Sequence, residues 1–311
     1  MAVKSLKVCA TGSVANVSCG FDCIGYAIAK PADTLTIKTK DSPGVDITLS
    51  GSKADTIPAA AKYNTAGKAI LSLLNSLGID QGFNVHIEKG VPPSSGLGSS
   101  AASAAAAVVG VNELLGNPLK LEELLVHGMA GEAVASGEFH ADNIAPALFG
   151  GIILIRSYDP LDILQLPVPE NLFSTVVLPD FVINTRDARK IMPNRVPLKS
   201  AVEQAGNLAG FTHGLHNADF NLLGRSMVDL FAEPVRAELI PGYHLVQKAS
   251  MDAGAIGCGI SGSGPALFAL SDSEEKAKKV GFSMVEAFKK NKLNSIAYSS
   301  SIHKKSPEIM D

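Results

Sequence analysis

Val91-Pro92-Pro93-Ser94-Ser95-Gly96-Leu97-Gly98-Ser99-Ser100-Ala101-Ala102 is the stretch on which the fold turns. Ahead of it, Phe83 to Lys89 alternates apolar and polar side chains with the period of a half-buried strand. Behind it, the Ala-rich run from Ser99 to Leu115 reads as a helix, ended near Gly116 and Pro118. Strand, Gly/Ser loop and helix N-terminus in that order make an anion cradle. Gly96 and Gly98 permit close backbone approach, the serines add hydroxyl donors, and the helix start presents free N–H groups and a positive dipole end. A polyphosphate suits such a loop; on physics alone, a plain Gly/Ser connection capped by Ser99 or Ser100 suits it as well. No Gly-Lys-Ser/Thr closes the segment, so it is not a Walker A loop.

Outward from the loop, Leu6–Thr11 and Asp33–Lys40 are further strand-like runs, expected to share a sheet with 83–89. Ala61–Leu77 and Leu121 to about Ala135 read as helices. Gly150-Gly151 opens the apolar run Ile152–Arg156, and Tyr158-Asp159-Pro160 carries turn chemistry, which places a domain transition there: 1–158 and 159–311. The second half reads as strands at Phe173–Pro179, Ala266–Leu270 and near Ile296, with helices over 198–216, 242–252 and 274–290. That mixture is an α+β layer architecture.

The chain has 311 residues, 46% hydrophobic and 18% charged, which fits two packed domains and excludes disorder as its main state. Formal net charge is −3, so no broad basic surface for nucleic acid exists and an anion must be bound locally. Four scattered cysteines make neither a disulfide scaffold nor a zinc site. The N-terminus reads as a strand and not as a leader, and the longest small-apolar run is about half of the ~20 residues a bilayer span needs. A cytoplasmic protein without membrane or nucleic-acid partners is expected.

Pro92 to Ala102 matches, position by position, the second motif of the GHMP kinases, and the chain resembles that family in two more places. These are Lys7 to Asn16 near the start and Gly257-Cys258-Gly259-Ile260-Ser261-Gly262-Ser263-Gly264-Pro265 near the end. The glycines of the latter also spell Gly-x-Gly-x-x-Gly, but they run from helix to strand, the reverse of a dinucleotide fingerprint. The resemblance implies an N-terminal domain like the second domain of ribosomal protein S5, a C-terminal ferredoxin-like domain, and ATP between them. Pro92 through Ala102, Gly262, Ser263 and Gly264 would then hold the nucleotide, Asn64 would touch the adenine, and Ser100 with Glu132 would hold Mg2+. An N-cap role explains Asn64 equally well.

The acceptor must be chosen elsewhere in the chain. Asp22 lies in an apolar Gly-containing stretch, while Arg189 and Arg236 stand beside turn or helix-start residues. One carboxylate and two guanidinium groups suit a zwitterionic amino acid, although a turn cap and surface ion pairs account for the same residues taken singly. Four patterns resemble those GHMP kinases whose acceptor is L-homoserine: Ala15-Asn16-x-x-x-Gly20-Phe21-Asp22, Gly137-x-x-His140-x-Asp142-Asn143-x-Ala145-Pro146, Thr185-x-x-x-Arg189 and Glu233-Pro234-x-Arg236-x-x-Leu239-Ile240-Pro241. By that match Asn16, Asp22, His140, Asn143, Thr185, Arg189 and Arg236 bind the substrate, and Asn143 and Arg189 stand nearest the chemistry. The products would be O-phospho-L-homoserine and ADP, a step of threonine biosynthesis, in a homodimer. Where other members carry an aspartate base and its lysine, this chain has Asn143 and Thr11, so direct attack without a dedicated base is expected. Asp142 is expected to turn away.

Overall fold

The computed structural model describes residues 4–137 and 139–310. Two sheets organise them. The first combines β1 (Ser5–Ala15), β2 (Ile24–Lys40), β3 (Val45–Gly51), β4 (Gly82–Lys89), β5 (Ile152–Tyr158), β6 (Leu161–Leu166) and β11 (Glu308–Met310). Its order is β11-β1-β2-β4-β3, with β5 and β6 added at the start of β2; only β3 and β4 run parallel. The three expected strands are neighbours here, and β1 and β2 run longer than their apolar alternation shows. The turn at Asp159-Pro160 closes the β5–β6 hairpin, so the first sheet continues to Leu166.

Helices α1 (Thr65–Leu77), α2 (Ser99–Leu114), α3 (Leu121–Ser136) and α4 (Ile144–Phe149) cover one face of this sheet. Alternation decides that face: Val8 and Ala10, Leu35 and Ile37, and Phe83, Val85 and Ile87 are buried in one core. The central helix α2 is apolar all round, as a helix packed on several sides must be. Its small side chains bring it close to the strands; a Cβ on Gly110 would lie 2.6 Å from Ile37 Cδ1.

The second sheet is antiparallel, β10-β7-β9-β8, from β7 (Phe173–Pro179), β8 (Gly257–Ile260), β9 (Leu267–Ser271) and β10 (Ser295–Ser301). Its other elements are α5 (Thr185–Lys190), α6 (Leu198–Asn217), α7 (Phe220–Ser226), α8 (Glu233–Arg236), α9 (Tyr243–Asp252) and α10 (Glu274–Lys290). Val177, Leu267 and Ala269 face a core with Val246, Met284 and Phe288 of α9 and α10. Val176, Phe268 and Leu270 point the other way, joining Phe211 of α6 and Leu223 of α7 in the core of the first sheet. Tyr26 of β2 pins the layers together: its ring meets Phe268 edge-on at 6.0 Å and its hydroxyl lies 2.7 Å from Ser174 Oγ. The α+β class read from the sequence is the class observed. The Gly257–Gly262 glycines form β8 and the start of the β8–β9 turn, with no helix for a dinucleotide to cap.

Candidate active site

The Gly/Ser loop between β4 and α2 is anchored at both ends by a buried ion pair that the sequence reading did not single out. Lys89, the last residue of β4, pairs with Asp33 of β2, and its Nζ also donates to Ser103 Oγ at 2.9 Å and to the Ser99 carbonyl at 2.8 Å. Asp33 Oδ1 accepts from the N–H groups of Gly90 and Val91 at 3.1 and 2.9 Å. Strand exit and helix entry are thus tied to one pair of charges. Burial pushes the Lys89 ammonium down, and the Asp33 charge opposes that shift.

Between these anchors Gly96 and Gly98 hold φ of +81° and +63°. A Cβ on Gly96 would lie 2.5 Å from the Ser261 carbonyl, because the third glycine-rich segment is pressed against the loop. Ser261 donates to the Gly96 carbonyl at 2.6 Å, and the Ala266 N–H donates to that of Ser95 at 3.1 Å. A cavity of about 520 Å3 opens above, lined by Pro93, Ser94, Ser95, Gly96, Gly98, Ser99, Ser100, Gly262 and Ser263. Pro92, Leu97, Ala101, Ala102 and Gly264 are not part of that lining; Leu97, Ala101 and Ala102 are core residues.

Asn64 reaches the wall with its amide already engaged. Its Oδ1 accepts from the Gly67 N–H at 3.2 Å, capping α1, and its Nδ2 donates to the Pro58 carbonyl at 2.8 Å. Both of its polar atoms bond the backbone, so the cap is present, and Asn64 also lines the cavity. Ser100, in the first turn of α2, donates to Glu132 Oε1 of α3 at 2.8 Å. Burial raises the Glu132 carboxyl, opposed by that hydroxyl.

A recess of about 80 Å3 adjoins the large cavity, and Glu132, Asn143, Thr185, Gly262 and Ser263 line both. The remainder of the recess is Asn16, Asp22, His140, Asp142, Arg189 and Arg236. Residues from α3, α5, α8 and three loops therefore meet at one place. Asp22 Oδ2 accepts from Arg189 Nη1 at 2.8 Å, and His140 Nδ1 is 3.9 Å from Oδ1. Asn16 is a brace: its Oδ1 accepts from the Asp22 N–H and its Nδ2 donates to the Gly262 carbonyl, both at 3.0 Å. The same carbonyl accepts from Arg236 Nη1 at 3.0 Å.

Phe21 organises the two guanidinium groups. Arg189 Cζ and Arg236 Cζ each lie 5.4 Å from its ring centroid, cation–π distances that hold both arginines beside Asp22. The turn carrying these residues is strained: Asn16, Val17, Ser18 and Asp22 all have φ between +44° and +71°. For a β-branched residue such as Val17 this region is an outlier, at a cost of about 1–3 kcal/mol, and strain of this kind gathers at working sites.

Asp142 corrects an expectation. It faces the recess wall, buried, where burial and then the charge of Asp22 push its carboxyl up to about 7, against the pull of His140. Its loop lies there because Gly25 of β2 has no side chain: a Cβ would sit 1.7 Å from the Asp142 carbonyl oxygen. Tyr158 then fastens two loops, its hydroxyl donating to the Asp22 carbonyl and accepting from the Ala141 N–H, each at 3.1 Å. Tyr158→Phe should raise the acceptor KM roughly 5- to 10-fold, about one hydrogen bond, with the nucleotide KM within twofold. Steady-state kinetics with each substrate varied in turn checks this, and equal shifts in both constants would refute it.

Two family models match the chain, "GHMP kinases N terminal domain" over residues 64–151 and "GHMP kinases C terminal" over 211–290. A homoserine kinase of Chlorobium phaeobacteroides (strain BS1) is 43% identical over 320 residues, covering 99% of this chain and 100% of that protein. The chain belongs to the homoserine kinase family. A second homoserine kinase, from Chlorobium phaeobacteroides (strain DSM 266 / SMG 266 / 2430), is 46% identical over 92% of each chain. The crystal structure of homoserine kinase from Cytophaga hutchinsonii ATCC 33406 superposes with a TM-score of 0.96 at 47% identity, covering 98% of this chain and 97% of that one. The protein is accordingly a phosphotransferase with an alcohol group as acceptor. Among the described residues no helix is long and apolar enough to cross a membrane.

Lys89, Asp33, Phe21, Gly25 and Tyr158 are the parts of this kinase's site that reading the sequence missed. Only Phe21 carried a signal, since it stands inside the Gly-Phe-Asp motif. The other four act through contacts between segments far apart in the chain.

Proposed function

We propose that the kinase transfers the γ-phosphoryl group of MgATP to the side-chain hydroxyl of L-homoserine, giving O-phospho-L-homoserine and ADP. The observation that carries this reading is the shared wall. The cavity over the Gly/Ser loop and a recess holding Asp22, Asp142 and two guanidinium groups meet at Asn143 and Glu132. A zwitterionic amino acid is the complement of that recess, its ammonium on Asp22 with Asp142 adding to the negative potential, and its carboxylate on Arg189 and Arg236. Asp22 and Arg189 pair with each other at 2.8 Å, and a zwitterion offers each of them a group of the opposite charge.

Ser100 and Glu132 fit a magnesium ion, because two hard oxygens beside a triphosphate site are a sufficient protein share of its shell. When bound, the ion neutralises charge on the phosphates. What the chain supplies is position: the loop and the α2 N-terminus hold the triphosphate, Asp22, Arg189 and Arg236 aim the acceptor, and Thr185 and Ser263 line the junction. Asn143 cannot take a proton, so the hydroxyl attacks directly and its proton passes to the transferred phosphoryl group.

An ADP-release assay with MgATP and L-homoserine, L-serine, L-threonine, mevalonate and galactose, repeated with Asp22→Ala, tests the proposal. Turnover should be confined to homoserine and fall at least 100-fold in the variant. Mevalonate or galactose turnover would keep the kinase and overturn the acceptor.

A further inference from the structure

Ser13 is fully buried on β1, just past the point where the β1–β2 register shifts between Thr11 and Ser13. A bulge of that kind re-aims the side chain that follows it. Its backbone N–H donates to the Leu97 carbonyl of the phosphate loop at 3.0 Å, and its hydroxyl donates to Asn143 Oδ1 at 2.8 Å. Gly98 closes the stack: a Cβ there would lie 2.1 Å from Ser13 Oγ and 2.9 Å from Asn143 Oδ1. One buried residue thus touches the nucleotide loop through its backbone and the acceptor loop through its side chain.

The consequence concerns what Asn143 can do. An amide offers a carbonyl oxygen with two lone pairs and one two-proton donor, and here Ser13 takes one of those lone pairs. Asn143 lines both cavities where they meet, and while its oxygen receives the Ser13 hydroxyl, its NH2 is engaged by none of the described residues. We propose that Ser13 is a positioning residue whose hydroxyl holds the Asn143 amide with its NH2 turned to the junction of the two cavities, making Asn143 a fixed hydrogen-bond donor whose setting follows the phosphate loop. A donor at that place stabilises negative charge on the transferring group and leaves base catalysis to no side chain at this position. The assignment of the junction as the place of transfer rests on the proposed function above.

The test is a double-mutant cycle on Ser13→Ala and Asn143→Ala, joined by Asn143→Asp. Ser13→Ala should lower kcat about tenfold with the nucleotide KM within twofold, and should add nothing in the Asn143→Ala background. Asn143→Asp keeps the shape and the bond from Ser13 but exchanges donor for acceptor, so its kcat should be no higher than that of Asn143→Ala from pH 6 to 9. Additive effects of the two alanines, or an Asn143→Asp enzyme as active as wild type, would overturn the inference. The second comparison stands even if Ser13→Ala fails to fold. In a 1H–15N spectrum of the whole protein, the Asn143 side-chain amide signal, assigned with Asn143→Ala, should shift in Ser13→Ala. An unshifted signal would refute the contact. That readout is independent of the acceptor, whereas wild-type inactivity on homoserine would count against the proposed function alone.

Discussion

Gly25→Ala should lower stability by at least about 3 kcal/mol, a fall in Tm of roughly 5 °C or more, and reduce kcat on the order of 100-fold. The added Cβ would lie 1.7 Å from the Asp142 carbonyl oxygen and 2.9 Å from its carbon, with Pro146 Cγ at 3.1 Å. No rotamer relieves a clash with backbone, so something larger must move. β2 cannot yield, because Gly25 is paired on both sides, with Ala15 of β1 and Ile153 of β5. The loop before α4 moves instead, carrying His140, Asp142 and Asn143 away from the phosphate loop. Thermal unfolding and single-turnover kinetics of the one variant check both halves, and wild-type values in either would refute the account.

Arg236→Met should reduce kcat/KM for the acceptor about 1000-fold while leaving the nucleotide KM within threefold. Methionine keeps most of the stem volume, so the change isolates the guanidinium. That group is buried, donates to the Gly262 carbonyl at 3.0 Å and packs over Phe21. Losing one partner of a desolvated charge pair costs about 2–5 kcal/mol, which brackets the expected loss. Arg236→Lys should recover no more than a tenth of the activity, since an ammonium restores charge but not the planar fork or the stacking on Phe21. Kinetics with the acceptor and then the nucleotide varied will separate the effects. A rise in the nucleotide KM equal to that of the acceptor would place Arg236 in general support of the cleft.

Arg236 was legible as a candidate through the Glu-Pro-x-Arg pattern, whereas Phe21 showed only its place in the Gly-Phe-Asp motif and not its contact with Arg236 and Arg189 alike. A motif shows which residue types lie side by side, but a ring that receives two cations from 168 and 215 positions away is a property of packing. Secondary structure divides in the same manner. α10 over 274–290 was readable from charge and apolar spacing, with Ser273 as its cap. β8, buried at all four residues, has no alternation to read, and β11 is three exposed residues whose only signal is their partner on β1.

The sequence by itself determined the Gly/Ser loop, the strand before it and the Ala-rich helix after it, because glycine freedom, serine capping and helix propensity act within a dozen residues. It also determined the α+β class, through the two periods of its apolar residues. Tertiary structure alone decided what joins the pieces. Lys89 finds Asp33 across 56 residues, Ser13 finds Asn143 across 130, and Tyr158 finds Asp22 across 136. Their pairing depends on which strands lie adjacent and how closely a glycine lets them approach, and neither quantity is carried by any single stretch of chain.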